Sequence, residues 1–369
     1  MKPCTVHDVT AAIESWAPLQ YAYDWDPVGL SIGNPNMPVT NVVTCLTVTR
    51  EALEAARTQG AELIVSHHPL IFSPLKALRT DVTHTKLCLD IAGAGIACYA
   101  AHTNLDVAPG GVSHILAERL GLQETRPLSP VKHAGQVKLI VFVPESHLTA
   151  LREAVCAAGA GVIGEYTQCT FSAPGVGTFL PSANSTPFSG ERGRVNEEPE
   201  RRFETIVPKA RLGSVLRALH DTHPYEEPAY DICPVENRDA AVGLGVRGKL
   251  PEPMPLDAFA SYVCRCLALD DARVVGRGDK PIRTVGVIGG SGGSELGRLP
   301  FDLDACVTGD VKYHDALDAA DRGLSVIDAG HAGTELPVVH ALAEFLRARF
   351  PGLGVTPYEE PGTFRTARA

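Results

Sequence analysis

The sequence predicts an α/β protein in which mixed sheets flanked by helices form the main domain, interrupted by a smaller ferredoxin-like βαββαβ domain. Three observations carry this expectation. Short apolar strands alternate with amphipathic helices towards both ends of the chain, the pattern of strands buried on both faces and covered by helices. A strand-then-helix unit is used twice in the middle. The 369 residues also exceed one ordinary domain and suit two, at roughly 100–200 residues each.

The N-terminal stretch MKPCTVHDVTAAIESWAP reads as an amphipathic helix, with Thr5 as N-cap and Asp8 three residues on to close a capping box. It lacks the basic and unbroken apolar regions of a signal peptide, so a cytoplasmic location is expected. Next come VVTCLTVT with the helix REALEAARTQG, then ELIVSHHP and GIACYAAHTNLD. The repeated unit is LIVFVPESHLTALREAV (139–155) and FETIVPKARLGSVLRAL (203–219). Each strand ends in Val-Pro, with proline suited to a first helical turn, and apolar residues follow at helical spacing: Leu148, Leu151 and Val155, then Leu212, Val215 and Leu219. Between them residues 165–181 predict a β-hairpin and residues 182–200 a polar loop, while AYDICPV (229–235) supplies a last strand. That order is the split βαβ pattern. The outer pattern then resumes with TVGVIGG, DACVTGD and LSVIDAGH, followed by the helix TELPVVHALAEFL. The expected division is an α/β domain at 1–127, an insert at 128–237 and the second half of the α/β domain at 238–369.

Composition excludes several classes. With 44% hydrophobic and 21% charged residues, the chain has no apolar run of the roughly 18–20 residues that a membrane span needs. A formal charge of -10 gives no electrostatic footprint for nucleic acid. The ten cysteines are scattered without a C-x-x-C pair, only Cys264 and Cys266 lying close. Neither a zinc ribbon nor a disulfide framework fits, and the cysteines read as small buried hydrophobes.

The chemistry gathers at three strand ends. IVSHHP offers His67 and His68, CYAAHTNLD offers His102 and Asp106, and VIDAGHAGTE offers His331 and Glu335. Ligands of open α/β sheets bind beyond the carboxyl ends of strands, so the three sets can converge on one edge. His102 with Asp106, and His331 with Glu335, are each four apart, which places both on one face of a helical turn. Adjacent strand residues point to opposite faces, so His67 and His68 share a site only where the strand stops. Pro69 disfavours helix at His68 and leaves a turn there. Four histidines and two carboxylates exceed one tetrahedral zinc and suit two divalent metal ions roughly 3.5–4 Å apart. Imidazole and carboxylate donors fit Zn, Mn, Fe or Co.

Three further stretches invite a functional reading. VGVIGGSGGSEL (285–296) is a glycine-rich turn that can offer amides to a phosphate, with Ser291 or Ser294 as a helix cap. It matches neither nucleotide signature. TGDVKYHDA (308–316) follows another strand end, so Asp310, Lys312 and His314 are candidate proton carriers or substrate contacts. HPYEEPAYD (223–231) reads as a structural connector within the insert.

Taken together, WDPVGL (25–30), SHHPLIF (66–72), AHTNLD (101–106), TGDVKYHD (308–315) and GHAGTE (330–335) resemble the Nif-three-like dinuclear-metal family. This is the YbgI and YqfO group, often labelled GTP cyclohydrolase 1 type 2 homologues. The insert resembles the extra domain of the longer YqfO-type members, and Pro27 stands where asparagine is more usual. The resemblance implies two metals held by His67, His68, His102, Asp106, His331 and Glu335. It also implies a ring-like homohexamer built from trimers, with sites facing an internal cavity and a PII- or CutA-like insert capping the ring.

Two functions are consistent with these residues. The first is a metal-dependent hydrolase of a nucleotide or phosphoester. There two cations lower the pKa of a water towards neutrality, Asp106 or Glu335 bridges them, and Asp310 or His314 carries a proton. The cyclohydrolase label would place the attack at C8 of a guanine nucleotide. The second is a metal-responsive regulatory or scaffold protein whose insert senses a small ligand, which closed coordination by all six side chains would favour.

Overall fold

The computed structural model describes residues 4–132, 135–164, 166–236 and 238–361. The chain divides into two compact units, Met1–Val131 with Asp239–Ala369, and Lys132–Arg238. Among the described residues no helix is long and apolar enough to cross a membrane.

The first unit holds two sheets. In one, the strands run in the order Gly29–Ile32, Ala97–Ala100, Leu63–Ser66, Asn41–Cys45, Gly354–Pro357. The last four are parallel and Gly29–Ile32 pairs antiparallel at the edge. In the other the order is Arg273–Val275, Ser325–Asp328, Ala305–Thr308, Pro281–Val287, Arg238–Pro255, Gln123–Lys132. Its centre, Ser325–Asp328 with Ala305–Thr308 and Pro281–Val287, is parallel, with antiparallel neighbours on both sides.

Period-two alternation explains why both sheets are covered on both faces. Val42, Leu63, Val65 and Tyr99 enter one core, while Val43, Ile64 and Cys98 enter another. In the second sheet Val285, Ala305, Val307 and Ile327 face one side, and Cys306 and Val326 the other. Helix Val112–Arg119 joins the two sheets: Val112 packs in the core of the first, Leu116 and Ala117 in the core of the second. At the N-terminus, helix Val6–Trp16 carries the expected capping box, with Thr5 and Asp8 each bonding the other's backbone amide.

In the second unit the strand order is Thr170–Phe179, Asn196–Pro208, Gln136–Pro144, Tyr230–Pro234, all antiparallel. Helices Leu148–Ala157 and Lys209–Thr222 follow the two repeated strands. Their Leu151, Val155, Val215 and Leu219 are buried against Leu139, Val141 and Phe203. The hairpin expected within 165–181 is instead one long strand, Thr170–Phe179, paired with Asn196–Pro208 across the intervening loop; Glu165 lies outside the described residues. Pro174, Gly175 and Gly177 look like turn residues. They fit an edge strand, where a missing ladder donor is tolerated, and a side chain at Gly177 would collide with Glu200. Within HPYEEPAYD the histidine is structural: the Tyr225 amide donates to His223 Nδ1 at 3.1 Å, so His223 Nε2–H donates to the Phe142 carbonyl at 3.0 Å. Both ring nitrogens are taken.

Candidate metal centre

Strands Leu63–Ser66 and Ala97–Ala100 lie side by side with Ser66 opposite Ala100, so their carboxyl ends are adjacent. After Ser66 the successive amides of His67 and His68 donate to Cys45 and Leu46. Two consecutive amides aimed at the same neighbour is no longer a strand pattern. The Ser66 hydroxyl donates to the His68 carbonyl at 2.8 Å and closes the turn, placing the two imidazole centroids 5.1 Å apart. His67 is fully buried.

His102 follows the neighbouring strand, and Asp106 sits on the short helix Thr103–Val107. His331 and Glu335 open and close helix His331–Glu335. That helix follows strand Ser325–Asp328 of the second sheet, so the site forms where two sheets meet rather than along one sheet's edge. Within the helix, His331 Nε2 lies 3.0 Å from Glu335 Oε2, as the four-residue spacing predicts.

Glu335 is nearly buried and stands at the middle of the cluster. Its Oε2 is 2.9 Å from His68 Nε2, and its Oε1 is 3.6 Å from His67 Nε2, which in turn is 3.5 Å from Asp106 Oδ1. Three overlapping groups have ligand atoms within 4.8 Å of one another: His67, His68 and His102; His68, His331 and Glu335; His67, Asp106 and Glu335. The structure therefore brings together all six residues singled out in the sequence.

Each histidine is held from behind through Nδ1. His67 Nδ1 faces the Ala101 carbonyl at 2.8 Å and His68 Nδ1 the Thr47 hydroxyl at 2.9 Å. His102 Nδ1 faces Asp26 at 2.9 Å and His331 Nδ1 faces Asp310 at 2.7 Å. A carbonyl or carboxylate can only accept, so Nδ1 of His67, His102 and His331 carries the proton and Nε2 is left to the centre, the outer arrangement that orients metal-binding histidines. The Thr47 hydroxyl can accept from His68 Nδ1 in the same way. His67 Nε2 and Asp106 Oδ1 are buried without a hydrogen-bond partner, which is costly unless something else satisfies them. A cation between them fits.

The charges point the same way. Burial pushes His67 down, but Glu335 and Asp106 outweigh it and hold it at about 9. The hydrogen bond to Glu335 raises His331 to about 9 against its burial. Burial lifts the Asp106 carboxyl to about 6. It opposes ionisation of Glu335 too, yet the His67 charge and the bonds from the surrounding histidines keep that carboxyl well below its usual range. The carboxylates thus draw positive charge into the cluster.

The family description Duf34/NIF3 (NGG1p interacting factor 3) matches residues 4–360. The chain belongs to this family. Relatives from Halalkalibacterium halodurans (41% identical over 332 residues, 90% of this chain and 89% of the relative) and Bacillus subtilis (42% over 319 residues, 86% of each) are both named GTP cyclohydrolase 1 type 2 homolog. Among solved structures, a Bacillus cereus protein related to NIF3 is similar with a TM-score of 0.82 at 40% identity over the whole of both chains. A Staphylococcus aureus protein matches over the whole of both chains with a TM-score of 0.78 at 27% identity.

Around the NIF3 cluster, the flanking candidates separate. Asp310 reaches His331 and adopts a left-handed φ of 56°. His314 is exposed on helix Tyr313–Asp321, its ring against Tyr313, and among the described residues it makes no hydrogen bond to the cluster. Lys312 is exposed at that helix's N-cap.

The glycine-rich turn is shaped by the centre and not by a phosphate. Its Gly289, Gly290 and Gly292 amides donate to the side chains of Ser113, Thr334 and Thr308. The six-residue 3-10 helix that follows, Gly293–Arg298, starts from Gly292 and not from a serine cap. A Cβ on Gly290 would lie 1.9 Å from Glu335 Oε1. Sequence reasoning also missed Asp26, Thr47 and the Ala101 carbonyl. Only Asp26 left a trace, as an acid inside the otherwise apolar WDPVGL.

Proposed function

We propose that this NIF3-family protein is a metal-dependent hydrolase that holds two divalent cations and acts on a nucleotide or phosphoester. The observation that carries the reading is the placement of Glu335. Its two carboxylate oxygens face different groups, Oε1 towards His67, which itself neighbours Asp106, and Oε2 towards His68 and His331, so this one carboxylate can serve two ions. When bound, such a pair supplies Lewis acidity towards a substrate oxygen and activates water near neutral pH. The chain's own part is to fix four imidazoles through their Nδ1 atoms and to keep the Glu335 carboxylate ionised. Asp310, hydrogen-bonded to His331, and His314 on the neighbouring helix are the proton carriers in this reading. The name shared by the relatives supports a guanine nucleotide as one substrate to test.

We propose further that the insert is a ferredoxin-like module of the PII or CutA kind, supported by its βαββαβ order and its strand order. The expected ring-shaped homohexamer and cytoplasmic location belong to the same reading. The regulatory alternative draws support from the insert as well. A cavity of about 600 Å³, lined in part by Phe142, Phe179, Phe188 and Tyr225, has the size and apolar walls of a small-ligand site.

The test is metal analysis of the protein beside Asp106→Asn and His331→Ala, with a hydrolysis screen of nucleotides and phosphoesters at matched metal loading. Two metals per chain, lost in the variants together with turnover, are expected. Two metals without turnover on any substrate would favour the regulatory reading. No metal bound when Zn, Mn or Fe is offered would refute both.

A further inference from the structure

Trp25 is 60% exposed and Phe72 54% exposed, with Tyr23 at 36%. Single exposed apolar residues are ordinary, but a contiguous aromatic patch marks a binding surface. This patch adjoins the metal centre. Trp25 stacks on Tyr23 with centroids 5.6 Å apart and planes 14° apart, meets Phe72 at 5.9 Å and sets its ring against that of His102 at 6.4 Å.

The patch is also held firmly. The Tyr23 amide donates to the Thr103 hydroxyl at 3.1 Å, and the Thr103 amide donates to Asp26 at 2.9 Å, pinning residues 23–26 to the first turn of helix Thr103–Val107. One short segment thus supplies both two rings of the wall and the carboxylate that aims His102. The other tryptophan behaves as a structural one: Trp16 donates from Nε1 to the Pro109 carbonyl at 3.1 Å and packs on Phe345 at 4.9 Å. Trp25 makes no hydrogen bond among the described residues.

We infer that Tyr23, Trp25 and Phe72 form a stacking wall that receives the planar heteroaromatic ring of a small anionic substrate, a mononucleotide, while its phosphate is held at the metal centre. The inference rests on the metal-dependent reading above and narrows its substrate class. A preformed wall binds at low ordering cost, and stacking accepts any base because every base has a π-face. The wall therefore distinguishes molecules with a ring from those without one, and only weakly one base from another.

The chain has two tryptophans, so full-length Trp16→Phe leaves Trp25 as the only indole reporter. Metal-loaded protein is titrated with guanosine 5′-monophosphate, uridine 5′-monophosphate and ribose 5-phosphate, following Trp25 emission and the heat of binding. Both nucleotides are expected to quench Trp25 and ribose 5-phosphate to leave it unchanged. In the otherwise native chain, Trp25→Ala and Phe72→Ala should each weaken nucleotide binding about tenfold, with metal content and ribose 5-phosphate affinity retained. Should Trp25→Ala lose metal, Phe72→Ala decides. Equal binding of ringed and ringless phosphates before and after these substitutions would overturn the wall and leave the hydrolase reading standing. Absence of binding by any of the three probes to metal-loaded protein would overturn the wall as well, and the turnover screen judges the hydrolase separately. Trp25 emission that follows protein concentration instead of nucleotide would assign the patch to a contact between copies and overturn the inference.

Discussion

Asp26 and His102 form a directed pair: Oδ1 of the aspartate lies 2.9 Å from His102 Nδ1 while Oδ2 receives the Thr103 amide at 2.9 Å. Burial works against the Asp26 charge, yet the bonds from His102 and Thr103 hold its carboxyl below the usual value. Asp26→Asn should be a sharp test of orientation without loss of volume. The Thr103 amide requires an acceptor, so the new carbonyl must face Thr103 and the new NH2 must face His102. That favours the imidazole tautomer protonated on Nε2. Metal affinity should fall about 10- to 100-fold, read by competition with a chromophoric chelator. Unchanged affinity would mean that His102 is not a ligand or needs no support.

Gly290 approaches the other end of the cluster. It has φ +65°, and a Cβ there would meet Glu335 Oε1 at 1.9 Å and Glu335 Cδ at 2.8 Å. Gly290→Ala must therefore displace the carboxylate as well as strain the backbone, a combination that costs about 1–3 kcal/mol. Loss of bound metal and a lowered Tm are expected together. A variant that keeps full metal content would show that Glu335 can withdraw without harm.

How much of this was visible in the sequence depends on distance along the chain. His67, His68, His102, Asp106, His331 and Glu335 were legible because each pair sits within one short strand end, where local spacing decides direction. The strands were legible because Leu63–Ser66, Ala97–Ala100 and Ser325–Asp328 are apolar runs buried on both faces. The division into two sheets was not, since alternation says that a strand is buried but not which strand it pairs with. Of the residues behind the histidines, Asp310 was legible as a candidate at a strand end, but its pairing with His331 was not. Asp26 is 76 positions from His102, and the Ala101 carbonyl is backbone that every residue carries. The hairpin failed for a related reason: Pro174, Gly175 and Gly177 imitate a turn unless it is known that their strand lies at an edge.

Chelation supplies a prediction about stability. Unpartnered His67 Nε2 and Asp106 Oδ1 are groups that a bound cation would satisfy only in the folded chain. A ligand of the native state stabilises by about 4 kcal/mol at a thousandfold excess over Kd. Adding Zn or Mn to stripped protein should raise Tm with the logarithm of metal concentration, and excess chelator should reverse it. His67→Ala should abolish the shift. A Tm indifferent to metal in the parent protein would place the binding outside the folded cluster.

A final prediction concerns the strands that carry His67 and His68. Glu62 accepts the Thr40 and Asn41 amides on Oε2 at 3.0 and 2.9 Å and the Thr40 hydroxyl on Oε1 at 2.9 Å. It thereby ties the amino ends of the parallel neighbours Asn41–Cys45 and Leu63–Ser66. Partial burial opposes its charge, but the Asn41 and Thr40 bonds prevail and lower its pKa from 4.5. A carboxyl depressed in the folded state stabilises fully above its unfolded pKa, and that contribution fades as pH falls through the folded value. Glu62→Gln should therefore lower stability at pH 7 by about 1–2 kcal/mol, the worth of charge-assisted bonds at a partly exposed site. The gap between variant and parent should hold down to about pH 5 and narrow below 4.5, in urea unfolding measured across that range. A gap that stayed constant through acid would show that Glu62 acts by packing and not by charge, because only the charged carboxylate loses its advantage on protonation.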